Sequence, residues 1–239
     1  MWLFSNKISV RESGLMEGFC DCHCHLLPGV DDGVKKVEET IQILDEWELL
    51  GMKEVWLTPH IMEDIPNRPD ELKRQFERLA AFYTGNIKLH LAAEHMMDGP
   101  FLERLETDDL LPIEKVGKRL LVETSYYIPP MNMDEIIDKI RQKGYEPILA
   151  HPERYQYIDF KNYAHWKGKG VLLQLNVPSL VGAYGLKVQA KAKKLLDSGM
   201  YDFCGTDTHS KEQADYFLDS LINKKIVKKV KRLVEYQDL

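Results

Sequence analysis

Cysteine is scarce in this sequence, and no long apolar run interrupts it. The 239 residues include only four cysteines: Cys20, Cys22, Cys24 and Cys204. None of them has the CxxC spacing of a structural zinc site, and four cysteines do not make a disulfide framework in a chain of this length. No window approaches the roughly 20 apolar residues of a membrane span, and the opening MWLFSNKISV lacks the features of a signal peptide. We therefore expect a cytoplasmic protein with no membrane insertion.

Several motifs of nucleotide and nucleic-acid chemistry are also absent. Neither GxGxxG nor GxxxxGKS/T follows the first predicted strand, so nucleotide-binding folds lose support. No cysteine has an arginine six residues after it, which excludes the chemistry of cysteine-based phosphatases. The net charge of −6 argues against a nucleic-acid partner. The basic segment 224–232 (KKIVKKVKR) spaces its apolar residues as a helix does, which predicts a solvated lysine face and not a basic groove.

Short apolar segments alternate with longer segments of helical periodicity along the chain. The strand candidates are Phe19–His23, Glu54–Thr58, Lys88–Ala93, Arg119–Glu123, Pro147–Ala150, Val171–Leu175 and Asp202–Gly205. The helix candidates are Val37–Leu50, Pro69–Tyr83, Asp134–Lys143, Leu186–Leu196 and Asp215–Val234. Such alternation favours parallel strands with helical crossovers. We expect an α/β fold in which one domain spans 1–239, with a core of about 19–234, as a TIM-like (β/α)7 barrel. An open doubly wound sheet is the alternative.

Side chains that bind metals follow six of the seven predicted strands. They are Asp21, His23, His25, His60, Glu94, Glu123, His151, Asp207 and His209. In a parallel barrel the carboxyl ends of the strands meet at one mouth, where active sites lie. Imidazole and carboxylate ligands suit Zn, Mn, Fe or Co, and a carboxylate can bridge two ions. Taken singly, each of these residues is as well explained by a structural role; together they predict a multi-metal site that acts on a phosphoryl group.

The first predicted strand alternates two kinds of side chain. Cys20, Cys22 and Cys24 should share one face, and His23 and His25 with Asp21 should share the other. We interpret the cysteines as small buried core residues. His90, His95 and His165 do not fit the strand-end pattern and are interpreted as ordinary histidines.

The sequence resembles the PHP (polymerase and histidinol phosphatase) superfamily. Within it, the chain is similar to the bacterial metal-dependent protein-tyrosine phosphatases of capsule and exopolysaccharide operons. The motifs that carry the resemblance are DCHCHLLPGVDDG (21–33), TPH (58–60), AAEH (92–95), LLVET (120–124), ILAHPERY (148–155), SLVGAYGLK (179–187) and GTDTHS (205–210). The combination of HxHxxPxxDDG with AHPER is specific to that branch. The resemblance implies a distorted (β/α)7 barrel of the PHP type.

The resemblance also implies how the ligands share two or three divalent ions, with Mn favoured and Fe, Zn or Co as alternatives. One ion would be held by His23, His25, Glu94 and Asp207. A second would be held by Asp32, His60 and His209, and a third by Glu123 and His151, with Glu94 bridging. Asp31 is the rival to Asp32 and is interpreted as a turn residue beside Gly33.

Arg154, Asp207 and His209 are the predicted catalytic residues. Arg154 would grip the phosphate through paired hydrogen bonds, although a structural salt bridge is the alternative. Tyr126 would line the substrate pocket, unless it packs on the rim. Family members often have an arginine soon after the strand-three Glu and another after the DxH motif; this chain has neither, and Lys211 is the candidate substitute as a point charge.

The resemblance implies hydrolysis of phosphotyrosine on a protein, with metal-activated hydroxide attacking phosphorus. The expected partner is a phosphorylated bacterial tyrosine kinase in the regulation of capsular polysaccharide synthesis, and a homo-oligomer is compatible with the sequence. A small-metabolite phosphatase of the histidinol-phosphatase type is the enzymatic alternative. A non-catalytic metal-containing binding protein is the alternative from another class.

Overall fold

The computed structural model describes residues 6–113, 118–130 and 132–236. The strands in these ranges are β1 (Lys7–Ser9), β2 (Cys20–Cys24), β3 (Glu54–Leu57), β4 (His60–Ile61), β5 (Lys88–Leu91), β6 (Glu94–Met96), β7 (Arg119–Glu123), β8 (Glu146–Leu149), β9 (Leu172–Asn176), β10 (Phe203–Gly205) and β11 (Leu221–Asn223). The helices are α1 (Val37–Leu49), α2 (Pro69–Phe82), α3 (Phe101–Thr107), α4 (Met133–Gln142), α5 (Phe160–Gly168), α6 (Leu186–Asp197), α7 (Lys211–Asp219) and α8 (Lys224–Tyr236). Short 3-10 helices span Pro152–Arg154 and Val177–Val181.

Nine of these strands form two parallel sheets. The larger sheet has the order β10-β9-β8-β7-β6-β4, and the smaller has the order β2-β3-β5. Two short interruptions connect the sheets, since residues 58–59 separate β3 from β4 and residues 92–93 separate β5 from β6. As a result β3 pairs with β5 in one sheet, while β4 pairs with β6 in the other. The second and third predicted strands thus lie in the smaller sheet, and the chain enters the larger sheet just after each of them.

The free edges of the two sheets approach each other at β2 and β10. The backbone N–H of His25 donates to the carbonyl of Thr208 at 2.9 Å, and that of Asp207 donates to the carbonyl of His23 at 2.7 Å. Cys24 and Thr208 also form an isolated parallel bridge. The strands therefore make a curled parallel arrangement consistent with a TIM-like fold. The strand order runs without the reversal that defines a doubly wound sheet, so that alternative is not supported.

Two apolar clusters stabilise this arrangement. The smaller one consists of residues on the strands or directly beside them, including Cys22, Trp56, Leu121, Ile148 and Phe203. The larger one joins the helices to the sheets. Each fully buried Leu or Ile contributes roughly 1.5–3 kcal/mol relative to an exposed one. The strands therefore pack against the helices through the larger cluster and against one another through the smaller one.

Local sequence explains where the helices form. Pro69 begins α2, a position where the missing N–H has no helical partner to lose, and α2 buries Leu72 and Leu79. α3 buries Phe101 and Leu105, one turn apart. This helix and α5 were not predicted, because each is short and has few apolar residues at helical spacing.

The predicted helix over 215–234 is wrong. The chain instead forms α7, then strand β11, then α8. β11 pairs antiparallel with β1, with Ile8 opposite Ile222. This long-range pairing overrides the helical periodicity that runs through the segment. None of the helices in the described ranges is long and apolar enough to cross a bilayer.

The three alternating cysteines do not share one face. Cys22 belongs to the smaller apolar cluster, whereas Cys24 belongs to the larger one. The cause is a register irregularity between Asp21 and Cys24 where β2 pairs with β3. Such a bulge changes which side chains face each way. The prediction that these cysteines are buried core residues is correct for Cys22 and Cys24; Cys20 is partly buried.

Candidate metal centre

The predicted metal ligands lie at the carboxyl ends of the parallel strands or just after them. They come from β2 and its following loop, β4, β6, β7, and the segments after β8 and β10. The nine side chains are His23, His25, Asp32, His60, Glu94, Glu123, His151, Asp207 and His209, and we refer to them as the histidine–carboxylate cluster. All are buried except Asp32, whose side chain is 64% exposed, and the half-buried His209.

Two members of this cluster have left-handed backbone conformations. His151 has φ of 33°, and Asp207 has φ of 52°. This region costs a non-glycine residue roughly 1–2 kcal/mol. Such strain is typical of sites where the surrounding structure fixes a side chain for function. Here it occurs at two positions where a strand ends and the chain turns across the mouth.

The first group within the cluster consists of His23, His25, Glu94 and Asp207. The Nε2 atom of His23 lies 3.2 Å from Oε2 of Glu94 and 3.4 Å from Oδ1 of Asp207. The Nε2 atom of His25 lies 3.4 Å from each of the same two oxygens. Two imidazoles and two carboxylates therefore surround one point, and their ligand atoms lie within 4.8 Å of one another.

Two further groups share members with the first. His25, Asp32, His60 and His209 form one, and His60, Glu94 and Glu123 form the other. The carboxylate of Asp32 lies 3.5 Å from Nε2 of His60 and 3.6 Å from Nε2 of His209. The shared side chains mean that neighbouring cations would be close enough to act on one substrate group.

This grouping agrees in part with the sharing that the resemblance implied. The first group is identical, and the second adds His25 to the implied set. In the third, His60 stands with Glu94 and Glu123. His151 approaches the same carboxylates, with its Nε2 2.9 Å from Oε1 of Glu94 and 3.9 Å from Oε2 of Glu123.

Buried atoms at the centre of the cluster lack hydrogen-bond partners. Among the described residues, Nδ1 of His60, Oε2 of Glu94 and Oε1 of Glu123 are buried and make no hydrogen bond. They nevertheless face one another, since Nδ1 of His60 lies 3.2 Å and 3.1 Å from the two oxygens. An uncompensated buried polar group costs on the order of 2–7 kcal/mol. The donor set and its orientation fit divalent cations, which would satisfy these atoms.

Attraction between histidines and carboxylates outweighs the effect of burial on the pKa values of His23 and Glu94. Burial lowers the pKa of His23, but Glu94 and Asp207 outweigh burial and raise this pKa to about 9. Burial raises the pKa of Glu94, but the charge of His23 and the hydrogen bond from His151 hold it well below its usual range. The carboxylate of Glu94 therefore stays ionised, as a metal ligand must.

Residues outside the cluster orient its histidines. Oε1 of Gln174 lies 2.7 Å from Nδ1 of His23, and Oδ2 of Asp31 lies 2.8 Å from Nδ1 of His25. Each contact places a proton on Nδ1 and leaves Nε2 for a metal, the usual arrangement around a metal-binding histidine. Asp31 also accepts from the backbone N–H groups of Gly33 and His60. The two aspartates therefore have different positions. Asp32 faces His60 and His209, whereas Asp31 contacts the Nδ1 side of the His25 ring.

Gln174→Leu should weaken metal binding while leaving the fold intact. The variant keeps the volume of the side chain but removes the acceptor that fixes the His23 ring. Losing such a partner reduces metal affinity about 10–100-fold. Chelator-competition titration would measure the change, with Gln75→Leu at a half-buried position of α2 as the control. Unchanged affinity in folded Gln174→Leu would show that the contact is dispensable.

Arg154 lies at the edge of the cluster. Its Nη1 donates to Oδ2 of Asp207 at 2.7 Å, and its guanidinium lies 4.1 Å from the ring centre of Tyr126 and 4.3 Å from that of Tyr184. Nδ2 of Asn176 donates to the same Asp207 oxygen at 2.9 Å. Both interpretations of Arg154 fit its position, because it makes a partly buried salt bridge and also places a cation beside the site.

Tyr126 also touches the cluster. Its hydroxyl donates to Oε2 of Glu123 at 3.4 Å, and its ring is 5.6 Å from that of His151. Burial and the nearby Glu123 raise its pKa, which keeps the phenol protonated. The neighbouring Tyr127, in contrast, is 89% exposed.

Lys211 does not reach the cluster. Its ammonium group pairs with Glu46 at 3.0 Å and with Asp215. Its backbone N–H donates to Glu39 at 2.9 Å. The proposal that Lys211 replaces a missing family arginine at the substrate is therefore not supported by its position, because its charge is neutralised on α1 and α7.

Asp21 has a structural role instead of facing the metal ligands. Its carboxylate accepts from the backbone N–H of Thr206 at 2.8 Å and from the hydroxyl of Thr206 at 2.6 Å. It thereby ties β2 to the segment that presents Asp207. His95 is buried between backbone groups, with Nδ1 3.3 Å from the carbonyl of Leu121 and Nε2 accepting from the N–H of Leu111. The interpretation of His95 as an ordinary histidine agrees with this placement.

The sixth predicted strand, which is β9 in the structure, carries two site residues that the sequence motifs did not indicate. Gln174 and Asn176 both lie on β9 and contact His23 and Asp207. The available signal was the alternation in LLQLN, where two amides at i and i+2 share one face of an otherwise apolar strand. A buried strand keeps such amides only when they are hydrogen bonded.

Comparisons with known proteins agree on one family. The family model for capsular polysaccharide synthesis proteins CpsB/CapC matches residues 19–235. The putative tyrosine-protein phosphatase CapC of Staphylococcus aureus is 26% identical over 218 residues, covering 87% of this chain and 84% of the relative. The tyrosine-protein phosphatase YwqE of Bacillus subtilis is 26% identical over 196 residues, covering 80% and 77%.

A solved structure has the same fold. It comes from work on YwqE of Bacillus subtilis and CpsB of Streptococcus pneumoniae, described as unique metal-dependent tyrosine phosphatases. The TM-score is 0.72 at 24% sequence identity, and the match covers 92% of this chain and 96% of the other. Since the family match extends over most of the sequence, the chain belongs to the CpsB/CapC family of capsular polysaccharide synthesis proteins.

Proposed function

We propose that this protein is a metal-dependent phosphatase that hydrolyses phosphotyrosine on a protein substrate. The observation that supports this most is the set of three overlapping ligand groups with unsatisfied atoms turned toward one another. The names of the relatives point the same way, since CapC, YwqE and CpsB are all named tyrosine-protein phosphatases. A purely structural metal site would have no need of shared carboxylates around several positions.

We infer that the nine residues of the histidine–carboxylate cluster hold two or three divalent ions. Manganese is favoured, and iron, zinc or cobalt would accept the same ligands. When bound, such ions polarise the phosphoryl oxygens, make a water nucleophilic at neutral pH and offset negative charge that develops in the transition state. Glu94 is positioned to serve two neighbouring ions, because it belongs to two ligand groups.

The chain's own residues orient the substrate. Arg154 is held between Tyr126 and Tyr184 and presents a guanidinium, which matches a phosphate in geometry and charge. Asp207 and His209 extend from the loop after β10 into the cluster. Asp207 has its Oδ2 fixed by Arg154 and Asn176, which leaves Oδ1 toward His23 and His25. Arg154 would thus contact the phosphate and at the same time fix the orientation of Asp207.

We propose that the two parallel sheets together form a distorted seven-stranded barrel of the PHP type within one domain spanning 1–239. The substrate would be a phosphorylated tyrosine kinase that acts in polysaccharide synthesis, consistent with the family description. The enzyme would act in the cytoplasm, in the same compartment as the phosphorylated segment of such a kinase.

The test compares two substrates before and after metal removal. Activity on a phosphotyrosine peptide should fall at least about 100-fold after chelation and return on adding Mn. Histidinol phosphate, assayed in parallel, should be the poorer substrate. His151→Ala should abolish hydrolysis in folded protein, whereas His165→Ala, at an exposed histidine paired with Asp134, should not.

Two outcomes would contradict the proposal. Higher kcat/KM on histidinol phosphate would assign the site to a small metabolite. Full activity of His151→Ala, or of chelated protein with no residual metal, would show that the cluster is not the reaction centre.

A further inference from the structure

A cavity of about 280 Å³ lies beside the histidine–carboxylate cluster. One wall comes from the segment after β9, and the other from the loop after β10 and the start of α7. The residues that line it include Pro178, Ala183, Tyr184, Thr208, Gln213 and Tyr216. None of these side chains is a metal ligand in the proposed function.

One wall of the cavity contacts Arg154 at the edge of the cluster, and the other contacts His209 within it. The ring of Tyr184 lies 4.3 Å from the guanidinium of Arg154, which in turn bonds to Asp207. On the other wall, the side chain of Gln213 accepts a hydrogen bond at 2.9 Å from the backbone N–H of His209. The cavity therefore lies next to the place where Arg154 would hold a phosphate, and Tyr184 contacts both.

The lining and size of the cavity limit what it can bind. Tyr184, Tyr216, Pro178 and Ala183 give it mainly aromatic and aliphatic walls. Sites for drug-sized ligands have volumes of about 300–1,000 Å³, so this cavity has room for about one side chain. Glu212 also lines it, and its carboxylate disfavours an acidic occupant.

We propose that this cavity binds the apolar or aromatic side chain of the residue next to the phosphotyrosine in the protein substrate. The inference rests on the proposed function and adds sequence specificity to it. A phosphate at Arg154 fixes the phosphotyrosine, and adjacent Cα atoms are about 3.8 Å apart. Tyr184 contacts Arg154 and also lines the cavity, so a side chain bound in the cavity would lie beside the anchored phosphotyrosine.

Phosphotyrosine peptides with Phe, Leu, Gly or Asp beside the phosphotyrosine, on either side, would test this. For one of the two sides, Phe and Leu should give kcat/KM about 10-fold or more above Gly, mainly through KM, and Asp should be poorest. Ala183→Trp, which fills the cavity, should remove the preference and leave hydrolysis of free phosphotyrosine within about twofold. Ala81→Trp adds the same side chain at an exposed alanine of α2 and should keep the preference.

The binding of the same peptides, followed by fluorescence anisotropy, tests the cavity independently of turnover. If no peptide is hydrolysed but binding still follows the predicted order and responds to Ala183→Trp, the proposed function fails and the cavity inference stands. If peptides are hydrolysed with no preference on either side, or Ala183→Trp keeps the preference, the cavity inference is overturned. It is also overturned if Ala183→Trp slows free phosphotyrosine as much as the peptides, because the cavity would then hold the phosphotyrosine ring itself.

Discussion

Glu94→Gln should lower kcat/KM by on the order of 10³-fold and remove at least one equivalent of bound metal. Glu94 is fully buried at the start of β6, and the imidazoles of His23, His25, His60 and His151 all approach its carboxylate. The variant keeps the shape of the side chain and deletes only its charge. An amide cannot bridge two cations, so the loss should be larger than for a ligand that belongs to one group.

Metal analysis by mass spectrometry and steady-state kinetics on a phosphotyrosine peptide would measure both effects. Glu77→Gln, an isosteric change at an exposed position of α2, is the matched control. Circular dichroism would establish that Glu94→Gln folds. A folded Glu94→Gln protein with full metal content and activity would contradict the bridging role.

The strand-end pattern made most of the cluster predictable. The carboxyl ends of neighbouring parallel strands lie at the same end of the sheet. Residues such as His23, Glu123 and His151 could therefore be assigned to one site from the sequence alone. The structure brings them together as expected. The same argument does not decide whether Asp31 or Asp32 faces the cluster. Both lie in a loop, where strand periodicity does not predict the direction of a side chain.

Contacts between distant segments set the limits of the sequence argument. The register irregularity in β2 depends on how it pairs with β3, and it decides that Cys22 and Cys24 face different clusters. The break between α7 and α8 depends on β11 meeting β1 near the other end of the chain. Lys211 was expected at the substrate from its place in sequence, but Glu46 on α1 attracts its charge. Each of these features depends on a partner residue or strand that is distant in the sequence. The local sequence pattern carries no information about that partner.

Metal binding should strengthen as the pH rises from about 7 to 9. Before a cation binds, burial lowers the pKa of His23, but Glu94 and Asp207 raise it to about 9, so the ring is largely protonated at neutral pH. A divalent ion must displace that proton to reach Nε2. Each proton released should therefore raise the association constant about tenfold per pH unit, and the dependence should flatten above about pH 9.

The sign reverses for the stability of the metal-free protein. A histidine whose folded pKa lies above its unfolded value of 6.5 stabilises the fold fully below pH 6.5, and that stability is lost as the pH rises through about 9. Chelator competition at several pH values would give the slope for metal, and urea unfolding in excess chelator at pH 6.5 and 9.5 would give the change in stability. Opposite trends in the two measurements require a proton and a metal ion to compete for the same buried ring. Metal affinity that is flat between pH 7 and 9 would mean that His23 is neutral before the cation arrives, and that the carboxylates around it are compensated by some other charge.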